Sequence, residues 1–138
     1  MTRKNTAYWL TTGLVAFVLS AGGTVDLGIG TGLIDMQMLG FPTYFWGILG
    51  TWKLLAVAAL LAPGLPLIKE WAYAGVFFTV SGAIASHIFY GEPIASAAVP
   101  AGVLVLAVAS WWLRPTSRRL VATMPLPESR PSALASAA

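Results

Sequence analysis

The chain has 138 residues, 57% of them hydrophobic and only 9% charged, with a formal net charge of +3 and no cysteine. Soluble domains carry about 25% charged residues, and a chain this short keeps too much of its surface outside to hide so many apolar side chains from water. A water-soluble fold is therefore excluded, as are a nucleic-acid surface, for want of clustered positive charge, and thiol exchange, iron–sulfur or thiolate-zinc chemistry within the chain.

Residues 1–7 form a short basic start with Arg3 and Lys4. A helix needs roughly 20 apolar residues to cross hydrocarbon, and the first such stretch runs over residues 8–25. It is longer than the apolar region of a signal peptide, and no small-x-small cleavage site precedes a soluble mature domain, so it is read as a retained span. The separator LGIGTGLIDMQMLGFP is rich in helix breakers, and its glycines follow no strand, so it is not a dinucleotide-binding loop. Met36 and Met38 in this loop are read as packing on the rim of the bundle. The second span covers 44–62, the third 71–90 and the fourth 95–113, separated by PGLPLIKE and GEP. Residues 114–138 are rich in Pro, Ser and Ala and read as a disordered tail. Arg114, Arg118 and Arg119 at its start are placed to meet anionic headgroups.

Because open sheet edges are not viable in lipid, helices are the expected element. The sequence thus implies an all-α integral membrane four-helix bundle. Arg3, Lys4, Lys69, Arg114, Arg118 and Arg119 fall on one side of the predicted membrane, while the other connections carry Asp26, Asp35 and Glu92 and no base. The positive-inside rule then puts both termini in the cytoplasm. Tyr8, Trp9, Tyr44, Trp46, Trp71, Tyr90, Trp111 and Trp112 lie near span ends, where interfacial aromatics are expected.

Small residues let membrane helices approach closely. In the third span Ala72, Gly75, Thr79, Gly82 and Ser86 recur every three or four residues and predict a packing seam. Gly47 and Gly50 with Leu54 in the second span, and Ser20 with Gly23 in the first, predict others.

The polar residues inside the spans carry the functional question. Lys53 lies about nine residues into the second span, roughly 13 Å deep, where an isolated Lys costs about 2.5–3.5 kcal/mol. It is either a structural ion-pair partner, with Asp26 the first choice and Asp35 and Glu92 the others, or a group that contacts a ligand. His87, the single histidine, reads as a structural hydrogen-bonding group, a ligand or proton-handling group, or a metal or haem ligand; one histidine without cysteine disfavours the last. Glu70 reads as a carboxylate favoured by a helix N-terminus. Lys53, His87 and Asp26 are the site candidates, with Trp46, Glu70 and Tyr90 as possible support. No metal site and no catalytic motif is visible, and whether the chain is an enzyme is left open.

The ordered set LGFPTYFWGILGTWKLL, LLAPGLPLIKEWAYAGVFF, SGAIASHIFYGEP and SWWLRP resembles the DoxX-like membrane proteins of bacteria, over most of residues 8–115. The resemblance implies a small multi-pass protein of the bacterial inner membrane. It also points to a membrane subunit of a redox system, since the wider group includes a subunit associated with thiosulfate:quinone oxidoreduction; Lys53 and His87 as donors in an aromatic-rich outer half make a quinone one candidate for an apolar pocket, and the cofactor is left open. A partner membrane or peripheral redox protein, or a second copy, would then complete the system. The alternative is a non-enzymatic assembly or anchoring factor, because distant relatives are proposed in such roles.

Overall fold

The computed structural model describes residues 3–29 and 40–120. Four helical segments are long and apolar enough to cross a membrane. They are α1 (Arg3–Asp26), α2 (Thr43–Leu61), α3 (Pro66–Tyr90), and a 3-10 turn (Ile94–Ala97) running directly into α4 (Ala98–Leu113). A second 3-10 turn (Thr116–Arg118) follows. The chain is a multi-pass membrane protein, and no strand occurs among the described residues.

Proline and glycine set the boundaries. Pro66 opens α3, where its missing N–H costs nothing. The preceding turn places Gly64 and Leu65 in the left-handed region, at φ 67° and 53°. Gly91, at φ 80°, ends α3, and its N–H and that of Glu92 return to the carbonyls of Ile88 and His87. That close folds Glu92 back over the last turn of the helix, as glycine-terminated helices do.

The helices alternate in direction. α1 packs against α2 and α4, and α3 against α4 and, less extensively, α2. One end of the bundle, the terminal end, holds the start of α1 and the end of α4. The other, the loop end, holds Asp26, Thr43 and Tyr90. The core is formed by Val15, Leu19, Leu60, Tyr73, Val76, Val80, Val103 and Ala107. Large apolar side chains such as Phe17, Phe78 and Phe89 point outward, the surface expected where lipid is the solvent.

The α1–α2 contact uses glycine as predicted at two positions. A Cβ on Gly50 would lie 2.7 Å from the Gly23 carbonyl oxygen, and one on Gly23 would lie 3.1 Å from the Gly50 oxygen. The predicted seam on α3 is not a seam within this chain. Gly75 and Gly82 are exposed, with nothing within 4 Å of an added Cβ. The buried stripe of α3 is instead Lys69, Tyr73, Val76 and Val80. Small residues permit close approach, whereas burial follows the larger apolar stripe next to them.

Lys69 is the largest departure from the sequence reading. It is not a loop charge: it lies in the first turns of α3, fully buried. Its ammonium donates to the carbonyls of Ala59 (2.6 Å), Leu60 (3.2 Å) and Ala62. These are carbonyls at the end of α2 that the helix itself leaves without partners, and the negative end of the helix dipole favours a cation there. Three donors meet three acceptors, so the charge is buried without an acid.

The terminal end holds a further polar network. Ser110 Oγ lies 2.7 Å from both Thr12 Oγ1 and Tyr73 Oη, joining α1, α3 and α4. Glu70 does not serve a helix N-terminus: it accepts from Arg114 Nη2 at 2.8 Å and from the Trp111 indole at 2.9 Å. Arg114 is 3% exposed and stacks over the Tyr73 ring, so it is a buried bundle residue and not a headgroup contact. Arg118 lies over the Trp9 ring and donates to the Leu60 carbonyl. The start of the expected disordered tail is therefore packed on the bundle through these arginines. The rest of that expectation, 121–138, and Asp35, Met36 and Met38 lie outside the described residues. Tyr8 and Trp46 are buried rather than interfacial.

Candidate functional site

The loop half of the bundle contains a cleft of about 920 Å³ walled by all four helices, within the roughly 300–1,000 Å³ of small-molecule sites. Val18, Leu19 and Gly22 come from α1, and Phe45, Trp46, Leu49 and Lys53 from α2. Gly82, Ala83 and His87 come from α3, and Val99 and Val103 from α4. The outward-facing Ile48, Trp52 and Phe78 also line it, so the cleft is edged by side chains that meet the bilayer.

Lys53 sits on this wall with 18% of its side chain exposed. Its Nζ is 2.7 Å from Asp26 Oδ2, and the Asp26 side chain is completely buried. The predicted pairing is thus present. Asp26 closes α1 one turn beyond Gly23, so the glycine contact brings the carboxylate level with Lys53. Gly22 completes the seat: a Cβ there would lie 3.5 Å from Lys53 Nζ. The Asp26 Oδ2 contact with Lys53 is an ion pair without hydrogen-bond geometry, Oδ1 has no partner among the described residues, and Asp26 itself is behind the wall rather than on it.

His87 lines the same cleft from α3. Its Nδ1 is 2.9 Å from Glu92 Oε2. The Gly91 turn makes this contact, because it folds the residue after the helix back onto the helix end. Ser96 and then His87 hold the Glu92 carboxyl below the usual carboxylate range, so it is ionised at neutral pH. A carboxylate only accepts, so Nδ1 carries the proton of that bond, and Nε2 is the ring nitrogen left without a protein partner among the described residues.

Trp46 lines the loop-end part of the cleft at 5% exposure. It meets Phe41 and Phe45 edge-on, each at 5.8 Å between ring centres, and those two rings stack at 4.9 Å. The Trp46 indole N–H is buried without a partner among the described residues. The cleft therefore offers an aromatic box with an ammonium, an indole donor and an imidazole on its walls, beside the Glu92 carboxylate and the hydroxyls of Thr79, Ser86 and Ser96.

Of the residues singled out from sequence, Lys53, His87 and Trp46 converge here, and Asp26 supports Lys53. Glu70 belongs to the terminal end, and Tyr90 is half exposed outside the cleft. Glu92 was considered only as a partner for Lys53; its place beside His87 was foreshadowed by the G-E pair directly after the helix. No group of three or more His, Cys, Asp or Glu that could hold a metal occurs among the described residues. A second depression of about 380 Å³ lies between α3 and α4. Both Glu70 oxygens and the Tyr73 hydroxyl there are already bonded, so it presents no free polar group.

The sequence model of the DoxX-like family matches residues 10–110, well over half of the chain. The chain belongs to the DoxX-like family. The match in this DoxX-like protein takes in nearly all of the four spans, including Lys53, His87, Glu92 and Asp26. No curated protein and no solved structure matches it significantly.

Proposed function

We propose that this DoxX-like protein is a membrane subunit of a redox system that holds a quinone-sized ring compound in the loop-end cleft. One observation carries the reading. An acid-paired ammonium from α2 and an oriented imidazole from α3 line the same mostly apolar, aromatic cleft of suitable volume. Apolar pockets with a few placed polar groups are how proteins orient small ligands, and the lipid-edged walls suit a guest that dissolves in the bilayer. The terminal end, with Arg3, Lys4, Arg118 and Arg119, would face the cytoplasm of a bacterial inner membrane. A reporter fused at either terminus should be cytoplasmic.

The binding test is a titration of the detergent-solubilised protein with a short-chain ubiquinone analogue, read by quenching of tryptophan emission. Trp46 and Trp52 line the cleft, so saturable quenching is expected, weakened about tenfold or more in Lys53→Met/His87→Ala. Absence of saturable quenching, or equal affinity in the double variant, rejects the site. Unchanged membrane redox activity in a strain carrying the double variant rejects the redox role.

A second reading, an assembly or anchoring factor, draws on the exposed small-residue face of α3 around Gly75, which offers another helix a close approach. It requires that Gly75→Leu abolish capture of a membrane partner while Lys53→Met leaves capture intact.

A further inference from the structure

We propose that the cleft opens sideways into the bilayer between α2 and α3, with Gly82 as the gap, and that its guest is a ring compound whose long alkyl or isoprenoid tail stays in the lipid. This rests on the reading of the cleft as a ring-compound site and specifies the class of compound and the path of its tail.

The residues that both line the cleft and face outward mark the opening. On α2 these are Ile48 and Trp52, and on α3 they are Phe78 and Gly82. Residues four apart share one face of a helix, so each pair forms one edge of the opening. α1 contributes no outward-facing residue to the cleft. α4 contributes Val99 alone, in its first turn at the loop end. The packing agrees with an opening on this side. α2 and α3 are fastened at the terminal end, by a short turn and by the Lys69 bonds to the last carbonyls of α2, yet they pack on each other less extensively than the other neighbouring pairs. Three of the four edge residues are bulky. Gly82 is bare, and a Cβ there would meet nothing within 4 Å, so the α3 edge has a hole one turn from Phe78.

The polar groups are arranged for a head inside and a tail outside. Ser86, His87, Glu92 and Ser96 belong to the last turns of α3 and the segment that follows it, at the loop end. Lys53 lies about two turns deeper than Trp46 on α2, and Thr79 about two turns deeper than His87 on α3. The four edge residues carry no charge, and the Trp52 indole N–H is the single polar group among their side chains. An apolar tail can therefore leave past them without stripping water or a partner from a polar group. A long isoprenoid tail does not fit inside the cleft beside its ring, so a compound that carries one needs this exit. Left in the lipid, the tail is as well solvated as against protein, and its exit costs nothing.

The test uses the full chain in phosphatidylcholine nanodiscs and two probes with the same dimethoxybenzoquinone ring, one bearing a methyl group and the other a decyl tail. Affinity is expressed as mole fraction of ligand in the bilayer, so that partitioning cancels. The two probes should bind the unaltered protein within about threefold of each other. Gly82→Leu, which fills the gap, should weaken the decyl compound about tenfold or more and the methyl compound less than about threefold. In the unaltered protein, a diazirine near the ring end of the decyl tail should label peptides carrying residues 48–52 or 78–82. Exclusion of the decyl compound, equal effects of Gly82→Leu on both probes, or labelling confined to α1 or to the loop end of α4 overturns the inference and leaves the ring-compound site in place. Binding of neither probe to the unaltered protein defeats the reading beneath it.

Discussion

Lys53 Nζ lies 2.7 Å from Asp26 Oδ2, level with the place where Gly23 and Gly50 bring the backbones of α1 and α2 together. The two features support each other. Close helix contact lets a short Asp side chain meet the ammonium without leaving the protein interior. The pair in turn makes it tolerable to keep a Lys in a span where an isolated charge costs about 2.5–3.5 kcal/mol.

Removing Lys53 should therefore cost more than removing its partner. Lys53→Met strands a fully buried carboxylate, and a loss of about 3 kcal/mol is expected, at the low end for stranding a buried charge. Asp26→Asn leaves an ammonium that still borders the cleft, and should cost less. Lys53→Met/Asp26→Leu should recover much of the loss, since an apolar pair leaves no charge behind. Denaturant unfolding of the detergent-solubilised variants, followed by circular dichroism, measures the order. A double variant as unstable as the sum of the singles would contradict it.

Glycine substitutions should separate the real seam from the apparent one. In a helix interior Ala gains up to about 1 kcal/mol over Gly. At Gly50 the new methyl would meet backbone oxygen at 2.7 Å and Leu27 at 2.9 Å, and relieving such overlap costs about 1–3 kcal/mol. Gly50→Ala should therefore lower the melting temperature. Gly75→Ala meets nothing and should leave it unchanged or raise it. The same thermal scan tests both, and loss of stability in Gly75→Ala alone would reverse the assignment.

Lys69 should resist even conservative replacement. Lys69→Met leaves the Ala59 and Ala62 carbonyls unsatisfied and takes from Leu60 one of its two donors, the other being Arg118, a loss of about 3 kcal/mol given hydrogen bonds to a charged group. Lys69→Arg should not restore it, because a flat guanidinium does not match three acceptors converging on a point. Hydrogen exchange should localise the damage to the turn joining α2 and α3. An arginine variant of full stability would refute the account.

The His87–Glu92 contact should respond to acid. A carboxyl whose pKa is lower in the folded than in the unfolded state adds stability above its ordinary range, and that contribution disappears as pH falls through the folded value. Glu92 is such a group, with Ser96 and His87 as the causes. The difference in melting temperature between the parent and Glu92→Gln should be complete above about pH 5 and vanish on acidification below about pH 4. A difference that instead grows with acid would mean that the carboxylate is not the form being stabilised.

The spans and the Lys53–Asp26 pair were legible because hydrocarbon leaves few options. A long apolar run must be a helix, and a lone charge within it must find one of very few acids. Much of the terminal end was not legible. Placing Lys69 in a loop followed from treating PGLPLIKE as one connection, whereas the turn needs only four residues and Pro66 already begins α3. Once Lys69 is in the helix, Tyr73, Val76 and Val80 fall on its side at intervals of four and three, and the buried stripe displaces the glycine one. Glu70, Arg114 and Trp111 meet only because α3 and α4 are neighbours at that end, a fact of packing that local sequence does not contain. At the cleft, sequence identified Lys53 and His87 but not the partner that fixes the imidazole.

Lys69 and its three acceptors all lie within residues 59–69, so this charge is neutralised by the hairpin that carries it. During biogenesis the α2–α3 pair can thus enter the lipid phase with that ammonium already sated, before either flanking helix has docked. Lys53, by contrast, depends on a carboxylate from α1, so its accommodation requires a contact from outside the hairpin.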